Sequence, residues 1–273
     1  MSDLSVLVLG GSKNIGYYAA VRLLAAGATV TFLLRNATVF DQDPVLQNAI
    51  MKGKARLVKG DALKKDDVAH AWAEAGKDAP VGVLLSTVGG APKVSLTKGV
   101  VLDPPNIVTQ CVFNILCTMP KDAPQPRMVF VSSSGLTKRS HASIPVLLKP
   151  MYSYLLAGPH RDKMGQERVL SYCAGLPWDE GEAEPAEEIM GVKWQEREGL
   201  PAADSLKKVP VVRPALLTDG ECEADKGKAK SYRVSEAELG GYTVSRKDVG
   251  HFIAKALLSE WDQYEGKIVN VGY

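Results

Sequence analysis

Seven residues, Gly10-Gly11-Ser12-Lys13-Asn14-Ile15-Gly16, separate the apolar run Leu7-Val8-Leu9 from a stretch with helical spacing. Packing alone would accept almost any short turn there. A strand ending at Leu9 and a helix starting near Asn14 would bring unpaired backbone N–H groups together with the positive end of a helix. Small residues let an anion approach the main chain, so the amides from Gly10 to Gly16 form a candidate pyrophosphate cradle. Gly10 suits the tight turn and Gly16 a close helix-to-strand contact. Asn14 stands where dinucleotide loops often carry glycine, and Asn is the residue that best tolerates a positive φ after glycine itself.

Such a loop needs a scaffold, and the chain predicts one. Apolar, β-rich runs fall at 5–9, 29–34, 55–58, 81–85, 128–131, 209–212 and 268–271, with helical patterns between several of them. In the first helix, 15–26, Ile15, Ala19 and Leu23 recur every fourth residue beside Ala20 and Leu24, and Gly27 closes it. Strands separated by helix-length segments imply right-handed crossovers and a mostly parallel sheet, hence an α/β fold. At 273 residues, 45% hydrophobic, the chain is expected to be a single domain. The stretch 179–207, before the sixth strand, carries "DEGEAEPAEE" nearby and is too polar for a buried layer. It is expected to be a surface insertion, helical around 186–197, acting as decoration or as a lid.

Composition narrows the partners. With 33 basic and 31 acidic residues the net charge is +2, which points to neither nucleic acid nor membrane and favours a small-molecule substrate. No apolar run approaches transmembrane length, and Met1 leads almost directly into the first strand, so a cytoplasmic location is expected. Cys111, Cys117, Cys173 and Cys222 form no C-x-x-C pair and no metal-like spacing with His70, His141, His160 and His251, so reduced thiols and no metal are expected. Monomer and homodimer stay equally open.

In a dinucleotide fold the second strand ends beside the adenosine ribose, where a carboxylate binds a 2′-hydroxyl and a cation a 2′-phosphate. That strand ends here in Arg35, with Lys13 in the first loop close to the same edge, which favours NADP(H). Asp61, followed by Ala62 past the third strand, is placed to accept from the adenine amino group. Thr87-Val88-Gly89 would line the cofactor after the fourth strand.

The loop resembles the Thr-Gly-x-x-x-Gly-x-Gly signature of short-chain dehydrogenases/reductases, with Leu9 for Thr and Asn14 for the middle Gly. "VFVSSSG" (129–135), "HRDKMGQERVL" (160–170), "VVRPALLTDG" (211–220) and "VSRKDVGHFIAKALL" (244–258) resemble later elements of the atypical branch, which includes NmrA-like proteins and flavin (biliverdin) reductases. The resemblance implies a Rossmann-type, doubly wound parallel sheet. It also implies cofactor contacts from Ser132, Lys163, Pro214, Ala215 and Leu216, and a substrate-orienting Ser134. Catalytic members carry a tyrosine proton donor four residues before the lysine; here that position is Pro159. Tyr152 or Tyr154, His160, or solvent would then supply the proton. The expected function is an NADPH-dependent oxidoreductase acting on a small carbonyl, enone, quinone or flavin-like acceptor, the alternative a non-catalytic NADP(H)-binding redox sensor of the NmrA-like type. An epimerase or lyase would depend on the absent acid.

Overall fold

Val6 and Val8 of β1 (Ser5–Leu9) belong to the apolar layer on one side of a central sheet, and Leu7 and Leu9 to the layer on the other. All five residues of β1 are buried, as a strand covered on both faces requires. The computed structural model describes residues 4–90, 93–95, 99–143, 145–154, 156–179, 181–207, 209–227, 231–240 and 242–273.

The other sheet strands are β2 (Thr29–Leu34), β3 (Ala55–Lys59), β4 (Val83–Ser86), β5 (Arg127–Val131), β6 (Val211–Pro214), β7 (Arg233–Ser235) and β8 (Ile268–Gly272). Their order is β7-β8-β6-β5-β4-β1-β2-β3, parallel throughout except that β7 runs antiparallel to β8. Leu9 pairs with Leu33 on one side and with Ser86 on the other, so β1, β2 and β4 end at one level. The chain winds outward in both directions from β1 and β4, and a crevice opens above their carboxyl ends.

Helices α1 (Asn14–Ala25) and α6 (Arg246–Ser259) cover one face; α3 (Lys65–Gly76), α4 (Ile107–Cys117) and α5 (Ala157–Ala174) cover the other, while α2 (Pro44–Met51) flanks the first. Gly250 makes the α1–α6 contact: a Cβ there would lie 2.7 Å from the Tyr18 Cβ and 3.0 Å from the Ala19 amide nitrogen.

Each expected strand is present, with ends shifted by up to two residues. The edge strand β7, the parallel pair Leu216–Thr218 with Thr243–Ser245, and the antiparallel ribbon Lys93–Ser95 with Gly99–Val101 were not foreseen. Three-residue strands are too short for an alternation to stand out.

The 179–207 stretch holds a helical turn at Glu187–Met190 and a 3-10 turn at Trp194–Glu196. Its polar composition conceals a buried side. Ile189, Met190, Trp194 and Leu206 are buried in the same apolar layer as Phe113 of α4 and Val169 of α5. The segment expected as a surface insertion thus has two sides: among its described residues nine charged ones are exposed, while Ile189, Met190, Trp194 and Leu206 pack into the body.

Candidate functional site

A tight turn follows β1. Gly10 has φ +79°, and a Cβ on it would stand 2.7 Å from the Thr87 carbonyl carbon and the Val88 nitrogen. Gly16 presses against the Thr87 side chain, whose hydroxyl donates to the Gly10 carbonyl at 3.0 Å. Thr87 thus ties the end of β4 to the first loop. Asn14 adopts φ 57°, the left-handed conformation its type tolerates. Lys13 occupies the N-cap of α1 in extended geometry and offers no side-chain cap. The first ladder bond outside the regular helix is Tyr17 N to Lys13 O at 3.4 Å, so the mouth of α1 is left to receive an acceptor from elsewhere.

That mouth opens into a cleft of about 700 Å³. Its wall carries Gly10, Ser12, Lys13, Asn14 and Ile15 from the loop, Arg35 after β2, and Asp61 and Ala62 after β3. Thr87, Val88 and Gly89 follow β4, Ser132 follows β5, His160 and Lys163 come from α5, and Pro214, Ala215 and Leu216 from the end of β6. A glycine cradle that a Cβ would fill, an uncapped helix end and two exposed cations at one end suit a dinucleotide diphosphate. Asp61 is fixed in place: its Oδ1 accepts from Leu63 N at 3.0 Å and its own amide donates to Asp67 at 2.8 Å.

Gly11 and Gly16 pack behind the loop instead of facing the cleft. Ser134 is a correction. Its Oγ turns toward the sheet, donating to the Arg213 carbonyl at 3.1 Å and lying 3.4 Å from Asn270 Oδ1. Its neighbour Ser133 lines the cleft, 3.5 Å from His160 Nε2. Tyr154 is also away from the wall, with 47% of its surface exposed. The Tyr152 side chain lies outside the described residues.

Helix α5 presents Pro159, His160 and Lys163 to the cleft from its first turns, beside its N-cap Leu156. Proline is tolerated at its third residue because no helical N–H bond is required there. The helix is anchored by Asp162, fully buried, whose carboxylate accepts from the Val108 and Thr109 amides, both at 2.8 Å. A side chain of α5 thereby caps α4, which fixes the rotation that points Lys163 at the cleft. Burial raises the Asp162 pKa, and the amide hydrogen bonds oppose that rise.

Lys163 Nζ donates to the Val131 carbonyl at 2.9 Å. Burial pulls its pKa down to about 8, against the favourable charges of Asp162 and Glu167. Burial, with lesser repulsion from Lys163 and His141, takes His160 down to about 4, so its ring is neutral at pH 7. Beneath them Ser132 donates to Glu167, whose carboxylate is held by Arg213 through Nε at 2.9 Å and a second bond from Nη2. This buried ion pair locks β6 to α5. Asn36, Ser133 and Arg246 are polar cleft residues that the sequence did not single out. For Arg246 a signal existed: Ser245 and Asp248 form an S-x-x-D cap that starts α6 at the carboxyl edge.

Among the described residues no group of His, Cys, Asp and Glu could hold a metal, and no helix is long and apolar enough to cross a membrane. None of the described residues of 179–207 lines the cleft.

Comparison with known proteins agrees with this geometry. The chain is 30% identical over 201 residues to Reductase pytE of Aspergillus terreus, an alignment covering 70% of this chain and 66% of that protein, just under two thirds of its length. Among solved structures it is similar to ChuY, an anaerobillin reductase from Escherichia coli O157:H7, with a TM-score of 0.59 at 17% identity over 98% of this chain and 96% of that one. A short-chain dehydrogenase from Burkholderia cenocepacia J2315, crystallised with NADP, gives a TM-score of 0.59 at 16% identity over the same shares. Likeness at such identity speaks to the fold. A model of the NAD(P)H-binding family matches residues 10–178. Since that match spans more than half of the chain and begins on the cradle glycine itself, the chain belongs to the NAD(P)H-binding family.

Proposed function

We propose that the chain is an NADPH-dependent oxidoreductase that reduces a small carbonyl, enone, quinone or flavin-like acceptor. The observation that carries this reading is a single cleft joining the uncapped end of α1, flanked by Lys13 and Arg35, to the polar floor formed by Ser133, His160 and Lys163. The reductase name of a relative at 30% identity supports the reaction class.

In this reading the loop amides hold the pyrophosphate, Lys13 and Arg35 the 2′-phosphate, Asp61 the adenine, and the Lys163 ammonium the nicotinamide ribose hydroxyls. The bound dinucleotide supplies a hydride. Ser133 donates a hydrogen bond to the acceptor oxygen, orienting it for attack. Pro159 has no proton to give and neutral His160 is not a charged acid, so water protonates the reduced oxygen. Pro214, Ala215 and Leu216 cover the reacting face and limit water elsewhere.

Pro159 also favours a second reading, a redox sensor that binds NADP(H) without turning it over. Purified protein mixed with NADPH and a panel of flavins, quinones, enones and aromatic aldehydes separates the two. Steady loss of reduced-nicotinamide absorbance with an acceptor is the expected result; tight NADPH binding with no turnover across the panel would replace the enzyme by the sensor.

A further inference from the structure

Arg246 lines the cleft from the first turn of α6, far from the other cations in sequence. Its place relative to α1 follows from the way the two helices pack. Both leave the carboxyl edge of the sheet and run side by side, with Gly250 against Tyr18 and Ala19. One turn before Gly250 stands Arg246; one turn before Tyr18 stands Asn14, at the open mouth of α1. The arginine is thus level with the cradle amides on the flank opposite β2.

We infer that Arg246 is a clamp on the pyrophosphate of the bound dinucleotide, closing from α6 the anion cradle that α1 opens. This rests on the nucleotide occupancy proposed above. Arg35 and Arg246 serve different groups because they issue from opposite sides. Arg246 follows the strand Thr243–Ser245, which pairs with Leu216–Thr218 just beyond β6. Four inter-strand spacings separate β6 from β2, roughly 19 Å at about 4.8 Å each. An extended dinucleotide can meet both, but one 2′-phosphate cannot.

The guanidinium is already held at the cleft wall. Its Nη1 donates to Asp219 Oδ1 at 2.7 Å, and this carboxylate is 86% exposed. Such a pair contributes at most about 1 kcal/mol and uses one of five N–H groups, so the fork can bridge Asp219 and a phosphate oxygen together. Asp219 lies two residues beyond Leu217 on the loop that covers the cleft. Through Arg246, phosphate binding would also draw that loop inward, with Asp219 as a positioning residue.

Calorimetric titration with NADPH, NADH, ADP and 2′,5′-ADP tests the clamp, since ADP carries a pyrophosphate without the 2′-phosphate and 2′,5′-ADP the reverse. For Arg246→Gln we expect NADPH, NADH and ADP to weaken by a similar factor, about tenfold, with 2′,5′-ADP changed far less. Arg35→Gln should show the opposite pattern. Asp219→Asn, a milder change at an exposed position, should weaken NADPH and NADH equally, by about threefold. Unchanged affinities in Arg246→Gln, or loss of NADPH with NADH retained, would overturn the clamp while leaving the occupancy reading standing. A wild-type chain that binds none of the four ligands would remove both.

Discussion

Ser133 Oγ lies 3.5 Å from His160 Nε2 on the cleft wall, whereas the hydroxyl of the next residue, Ser134, is turned away to the Arg213 carbonyl. Adjacent serines thus divide into one that can meet a substrate and one that ties β5 to β6. Ser133→Ala is expected to lower kcat/KM about tenfold through loss of one hydrogen bond to the acceptor, with NADPH affinity unchanged. Ser134→Ala should keep kcat/KM and lose about 1 kcal/mol of stability. Steady-state kinetics and urea unfolding on both variants check the division; the reverse pattern would return the role to Ser134.

His160 makes a prediction about stability and pH. Its folded pKa is lowered to about 4 from the ordinary 6.5, chiefly by burial. Between these values the unfolded chain holds a proton that the folded chain does not, so stability rises with pH across this window and is lost as pH falls from 6.5 toward 4. The full loss is about 3 kcal/mol. Relative to wild type, His160→Gln should therefore gain stability on acidification, measured as a widening difference in unfolding free energy between pH 7 and pH 4. A constant difference would mean that the ring is free to charge in place. Because the ring is neutral at pH 7, the same variant should leave the pH profile of kcat unmoved between pH 6 and 8.

Arg35 is exposed at the end of β2 and lines the adenosine end of the cleft with Lys13. A charge-assisted bond to a 2′-phosphate is worth about 1.5–3 kcal/mol, and reversal of charge adds repulsion. Arg35→Asp is expected to weaken NADPH by at least about tenfold while NADH changes little, or tightens as the new carboxylate accepts from the 2′-hydroxyl. Fluorescence titration with both nucleotides decides it. Equal losses would show that Arg35 does not distinguish them.

What the sequence disclosed depended on how local the signal was. The period of Ile15, Ala19 and Leu23, and the change from apolar run to glycine loop at Gly10, lie within a few residues of one another, and the first crossover was legible from them. The parallel sense of the sheet followed from the helix-length crossovers, while its doubly wound form came from the family resemblance. Two things escaped. Which of Ser132, Ser133 and Ser134 faces the cleft is set by where β5 ends relative to β6, and the bond from Ser134 N to the Pro214 carbonyl fixes that between distant segments. Arg246 escaped because its place on the cleft wall depends on α6 lying against α1 at Gly250.

The insertion escaped for a different reason: its mean polarity hid four large apolar side chains. Trp194 is 7% exposed, with ring centroids 5.2 Å from Tyr172 and 6.1 Å from Phe113, and the Arg168 guanidinium stacked 5.6 Å from it. Arg197 covers Phe113 at 3.8 Å and reaches Gln110 and the Met190 carbonyl, which closes the segment over α4. A lid that opens would have to expose this cluster on each cycle. Trp194→Ala is therefore expected to cost about 3–5 kcal/mol in urea unfolding, while NADPH affinity and the acceptor KM stay at wild-type values because no described residue of 179–207 lines the cleft. The opposite outcome, a changed acceptor KM with stability intact, would mean that the segment moves over the substrate and that its packing on α4 is only one of its positions.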